Sequence, residues 1–178
     1  MRRTTHGPTA RTTRRLLTTI GLCGLMLVAG LTVATSASAA TDPQLDAGIV
    51  RSVNAIRAAH GLRALTVNYQ LSRRADMQTR LILSHNQLKA QFPGVADIVT
   101  CLASQGYWAQ AAAVTVGWSG SQSLVLRQPA YMATHSPSKA SLLSSGYTSI
   151  GVAVRPSANH DRYVVTIVYA RPMTTAQL

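Results

Sequence analysis

The chain contains no glutamate, and its acidic residues are five aspartates: Asp42, Asp46, Asp76, Asp97 and Asp161. This excludes every motif that requires glutamate, the His-Glu-x-x-His metal helix among them, and leaves any carboxylate pair to be assembled from aspartates alone. Cysteine is almost as scarce, with only Cys23 and Cys101. Cys23 lies in an N-terminal apolar run, so once that run is removed no intramolecular disulfide can form and stability has to come from packing. Cys101 is then expected to be a small, buried apolar residue, the alternative being an exposed thiol that pairs with another chain.

The N-terminus reads as a targeting segment. Arg2, Arg3, Arg11, Arg14 and Arg15 precede an apolar stretch from Ile20 to Val33, and Ala37-Ser38-Ala39 supplies the small residues of a cleavage site. Residues 1–39 are therefore expected to be a signal peptide, with cleavage before Ala40 and a single domain over residues 40–178. The alternative is an uncleaved anchor, the only route by which this chain would contact a membrane. Either reading sends the domain outside the cell or to the cell envelope.

Removing the signal leaves twelve arginines and lysines against five aspartates, a net charge of about +7. Such an excess favours anionic surroundings, for instance cell-envelope polymers. The basic residues are scattered apart from Arg73-Arg74 and form no nucleic-acid-binding motif, so no nucleic-acid partner is expected.

Helical signals come first. Asp42 can cap a helix that begins at Pro43 and buries Leu45, Ile49, Val53 and Ile56 before Gly61 ends it. A second helix is predicted from Tyr69 to His85, with Leu71, Ala75 and Ile82 inward and Arg73, Arg74, Asp76 and Arg80 on the other side. Val95 to Ala103 suggests a short helix carrying Cys101, Ala112 to Gly117 a strand, and Ser121 or Ser123 a cap for a helical piece that Pro129 interrupts or restarts. Ser138 to Ser144 reads as one more helix. Tyr147 to Val154 and Tyr163 to Ala170 are two antiparallel strands joined through Pro156, Ser157, Asn159 and His160. The last strand is apolar on both faces, which requires cover on both sides. The expected fold is α+β, an α-β-α sandwich with a small antiparallel sheet covered by helices.

Two segments carry a family resemblance. Val53-Asn54-Ala55-Ile56-Arg57 with His60-Gly61-Leu62, Leu65, Asn68, Leu71 and Ala75 is the first. Ser136-Pro137, Leu142-Leu143 and Gly146 to Val154 make the second. Together they resemble the secreted CAP family, also called SCP-like or pathogenesis-related-1-like, in its short bacterial form. The resemblance implies the same sandwich and a central cleft in which two histidines and two acidic residues can hold a divalent metal. His85 matches the first histidine. Ala112 stands where the glutamate of a Gly-Glu-Asn motif belongs, and Ser138 or Lys139 replaces the second histidine. His135, just before Ser136-Pro137, is the remaining imidazole that can reach the cleft from a shifted position.

Two histidines without carboxylates satisfy neither zinc nor calcium, so no metal, no other cofactor and no catalytic residue is assigned. His85 also has a plain structural reading as a helix C-terminal residue bonded to carbonyls. Gly117-Trp118-Ser119-Gly120-Ser121 nearly spells a nucleophile elbow but ends in serine. Tyr107, Trp108, Trp118, Tyr131 and Tyr147 can line an apolar cleft. The ligand-binding candidates are therefore His85, His135, Trp118, Tyr147 and Lys139. They describe an exported, non-catalytic binding protein for a small amphiphilic, lipid or peptide ligand; a hydrolase or metal-assisted enzyme with a remodelled cleft is the alternative.

Overall fold

The computed structural model describes residues 42–177. The expected signal segment, the cleavage site expected before Ala40 and Cys23 lie outside the described residues.

Helix α1, Pro43–Ala59, starts where Asp42 accepts from the N–H groups of Gln44 and Leu45 at 3.0 and 3.3 Å. Its inner stripe of Leu45, Ile49 and Val53 is buried, and Gly61, at φ +68°, turns the chain away. Two polar residues of this helix anchor neighbouring loops. Asn54 bonds both the N–H and the C=O of Leu65, at 2.9 and 3.1 Å, and so fixes the link to strand β1, Thr66–Val67. Arg57 is buried and donates to the carbonyls of Arg63, Leu142 and Ser144, at 3.0, 2.7 and 2.9 Å. Three carbonyls replace the water its guanidinium loses, while burial still lowers its pKa.

Asn68 caps α2, Tyr69–His85, the range the sequence predicts. Asp97 caps α3, Ile98–Ala103, and Ser121 caps α4, Gln122–Val125. Pro129 sits in the first turn of α5, Gln128–Thr134, and α6 covers Ser138–Leu142. The remaining strands are β2, Ala109–Ser119, β3, Ser149–Pro156, and β4, Tyr163–Pro172.

The sheet order is β1-β3-β4-β2. β3 and β4 form the expected antiparallel hairpin and β2 joins β4 antiparallel, but β1 pairs parallel with β3 through two residues. The sheet is thus mixed at one end, where the sequence predicted only antiparallel strands because a two-residue strand offers no alternation to read.

Alternation along the strands sorts the core into two layers. Ile150, Val152, Val154, Val165, Ile167 and Tyr169 pack with α1, α5 and α6 residues such as Ile49, Val53, Met132 and Leu142. Ala153, Val168 and Ala170 meet Leu71, Ala75, Leu102 and Tyr107 on the opposite face, and Val164 meets Ile82 and Phe92 beside them.

Two expectations are corrected. Arg74 is not on the outer face of α2: it is buried and donates to Gln78 at 3.0 Å, its long stem packing inside while Gln78 in turn donates to the Lys89 carbonyl. Cys101 is not buried as a small apolar residue; it is half-exposed, its thiol 3.2 Å from the Ala96 carbonyl, because α3 turns the neighbouring Leu102 into the core instead.

Gly151 sets the distance between α2 and the sheet. A Cβ there would lie 2.1 Å from the Leu71 carbonyl carbon and 2.2 Å from the Ser72 nitrogen. Both are backbone atoms, so relief requires moving the helix. Gly151→Ala is therefore expected to lower stability by about 3 kcal/mol or more, read as the shift in the urea-unfolding midpoint. A variant as stable as the parent would show that α2 is free to slide.

Candidate ligand-binding groove

The first turns of α1 and α2 approach the same stretch of β3, and between them lies a groove with two adjoining cavities. The larger, about 420 Å³, is lined by Pro43, Asp46, Ala47, Val50, Arg51, Val67, Ser72 and Val152. The smaller, about 190 Å³, shares Asp46, Ser72 and Val152 and adds Tyr69, Arg73 and Asp76. Pro43, Ala47 and Val50 succeed one another along one face of α1, which makes that wall apolar. The rim is apolar too: Val67 is 56% and Tyr69 72% exposed.

Asp46 is the polar centre. One carboxyl oxygen accepts the Val154 N–H at 2.7 Å, so α1 caps the edge of β3. The other lacks a donor among the described residues. Burial raises its pKa to about 7; Asp42 and Asp76 push the same way, while the Val154 N–H and Arg155 oppose. Asp76, on α2, pairs with the buried Arg155 and also with Arg80 at 2.9 Å. Arg73 stands 6.0 Å above the Tyr69 ring. The groove therefore joins apolar walls to a carboxyl group that donates or accepts near neutral pH.

The residues singled out from sequence lie elsewhere and do not line one cavity. His85 lies tilted against Phe92, ring centroids 4.9 Å apart, with Nδ1 3.0 Å from the Leu81 carbonyl. Trp118 packs on the same side of the sheet, under the Arg162 guanidinium at 4.6 Å. Tyr147 is on the opposite face, 6.0 Å from Tyr169. His135 stacks on Tyr131 at 3.8 Å and sets Nδ1 2.8 Å from the Tyr131 carbonyl, and Lys139 is exposed on α6. His60, His85 and His135 share one arrangement, each bonding the carbonyl four residues earlier at a helix end. Of the other aromatics proposed for the cleft, Tyr107 is core, whereas Trp108 and Tyr131 are exposed.

In the serine motif, Gln128 donates to the Ser119 hydroxyl at 2.8 Å and to the Trp118 carbonyl at 2.6 Å. Among the described residues, no three His, Cys, Asp or Glu side chains gather as metal ligands. Asp46 and Ser72 were missed because each looks ordinary in sequence. The available signal was an aspartate between the apolar Leu45 and Ile49, one turn beyond the cap at Asp42.

A family model described as CAP, cysteine-rich secretory protein family, matches residues 50–169. No curated protein sequence matches the chain. Among solved structures, an outer surface protein of Borrelia burgdorferi superposes with a TM-score of 0.64 at 9% identity, over 74% of this chain and 95% of that one. A cysteine-rich secretory protein of Staphylococcus aureus gives 0.57 at 19% identity, over 72% of this chain and 38% of that one. An extracellular SCP-domain protein of Bacillus anthracis gives 0.56 at 17% identity, over 70% and 40%. This chain thus spans well under half of the last two proteins, and at such identities the likeness establishes the fold.

Asp46 makes stability depend on pH in a defined direction. Unfolded, its carboxyl ionises near pH 4; folded, near pH 7. Between these values the folded chain holds a proton that the unfolded chain has released, so this residue's contribution falls as pH rises from about 4 to about 7. Asp46→Asn is expected to be comparatively more stable at pH 8 than at pH 4.5 when urea midpoints are compared with the parent. An unchanged difference at the two pH values would place the folded ionisation back near 4.

Proposed function

The chain belongs to the CAP family of cysteine-rich secretory proteins, and from that premise we propose that it is an exported, non-catalytic binding protein whose α1–α2 groove holds a small amphiphilic, lipid or peptide ligand. The observation that carries this reading is the groove: a cavity of about 420 Å³ with apolar walls and one half-buried carboxyl group, the usual composition of a small-molecule site. The exposed Val67 and Tyr69 extend the apolar surface at its mouth.

A non-catalytic role is supported by how the chemically capable side chains are engaged. The imidazoles of His60, His85 and His135 are tied to helix-end carbonyls, and Ser119 faces Gln128 rather than a base. Asp76 is committed to Arg155 and Arg80. An address at the cell envelope or beyond it is supported by the N-terminal signal pattern and by likeness to outer-surface and extracellular proteins. Exposed Arg63, Arg127, Lys139 and Arg171 suit an anionic polymer of that envelope as a surrounding partner.

Titration with Nile red, a neutral apolar dye, tests the groove. Saturable binding is expected. Ala47→Arg, which places a charge on the apolar wall at an exposed helical position, should weaken it by about tenfold, roughly 1.4 kcal/mol, without lowering the melting temperature. Absence of binding, or equal binding by the variant, would overturn the assignment of this groove.

A further inference from the structure

The outer edge of β3 is bonded on both sides of one residue and open at that residue. Register with β4 alternates, so Ile150, Val152 and Val154 turn their backbone groups away from β4. The Ile150 carbonyl accepts from Asn68 N–H at 2.9 Å. At Val154, the N–H donates to Asp46 and the carbonyl accepts from Asp42 N–H at 3.3 Å. Between them, the N–H and C=O of Val152 bond no described residue. Val152 is nevertheless only 4% exposed, and it lines both cavities. Buried backbone groups are nearly always paired, so an orphan donor and acceptor on a groove floor point to something that enters the groove.

Resting on the reading of this groove as a ligand site, we propose that its occupant is a short, uncharged, apolar peptide segment, laid in extended form along β3 and hydrogen-bonded to the N–H and C=O of Val152. A peptide unit supplies the complementary pair that Val152 lacks, which a hydrocarbon chain cannot. The line taken by the segment is the one β1 vacates: β1 runs parallel to β3 as far as Val67, and Asn68 then turns the chain into α2. At the far end Asp42 and Asp46 close the edge. The interval from Ile150 to Val154 spans four residue steps, about 13 Å of strand, so the ligand is a few residues long.

Side chains of the segment meet Pro43, Ala47 and Val50 on one side and Val67 on the other, which favours small apolar residues. The Ser72 hydroxyl, which makes no hydrogen bond among the described residues, and the free oxygen of Asp46 are the further polar groups in reach. Arg51 and Arg73 stand at the rim.

Amide hydrogen exchange of the whole protein, monitored by NMR, tests this with two probes: N-acetyl-Val-Ala-Val-amide and the same peptide N-methylated at its central residue. The unmodified peptide is expected to slow exchange of the Val152 amide by about tenfold or more at saturation and to leave the Val154 amide, already bonded, little changed. The N-methyl peptide should bind about tenfold more weakly, having lost one donor. Equal binding of the two peptides overturns the proposal, as does binding without protection of Val152. If neither peptide binds while Nile red still does, the peptide assignment fails and the groove survives; if none binds, both fail.

Discussion

Strand β3 is the element against which everything else is registered. Its inner edge is zipped to β4, one face receives α1 through Val152 and Val154, and the other receives α2 directly on the backbone at Gly151. Its outer edge has to be satisfied piecemeal, because no full strand lies there. β1 serves two residues, Asp46 and Asp42 serve Val154, and the step between them, at Val152, is bonded by no described residue. A strand edge inside a protein cannot simply be abandoned, since each unpaired group costs about 1–3 kcal/mol. The groove thus results from how the edge is closed: α1 and α2 each begin beside it, and neither bonds the backbone edge at Val152.

The same geometry explains the electrostatics. Asp46 is drawn inward because its carboxyl substitutes for a missing ladder partner, and that position removes water from the carboxyl and raises its pKa. Asp76 has a different fate one helix away. There the carboxylate meets Arg155 on β3 and Arg80 on its own helix. Two aspartates bordering the smaller cavity therefore play different parts, one paired with two guanidinium groups and the other poised between protonated and ionised forms near neutral pH.

Much of the fold was legible in the sequence because the signals were local. Asp42-Pro43 marks the first helix start through a side chain that accepts orphan N–H groups, and the second helix shows in the apolar stripe of Leu71, Ala75 and Ile82. The β3–β4 hairpin was legible because both strands are rich in β-branched residues and only one connection joins them. The features that could not be read depended on tertiary contact. β1 is too short to show a period, Arg74 is inside because Gln78, itself donating to the Lys89 carbonyl, receives it, and Cys101 is half-exposed because α3 turns Leu102 inward instead. The groove was hidden for the same reason. Asp46, Ser72 and Val152 are far apart in sequence, and none is unusual for its element. The resemblance to CAP proteins directed attention to His85, Trp118 and Tyr147, which the sheet separates onto two faces.

This division between motif and site has a physical basis. The segments that carry the family likeness contain residues that build the scaffold: Asn54 clamps Leu65, Arg57 gathers carbonyls from three places, and Gly151 lets α2 sit on the sheet. Each acts through backbone groups or backbone space, so each is indifferent to the side chains around a cleft. At Ala112, where the resemblance led one to look for glutamate, the side chain packs against the α2–α3 layer with Leu71, Leu102 and Tyr107. A scaffold held by such contacts takes its shape from backbone bonds and backbone spacing. Among the described residues these contacts leave the outer edge of β3 open at Val152, between the bonds made at Ile150 and at Val154.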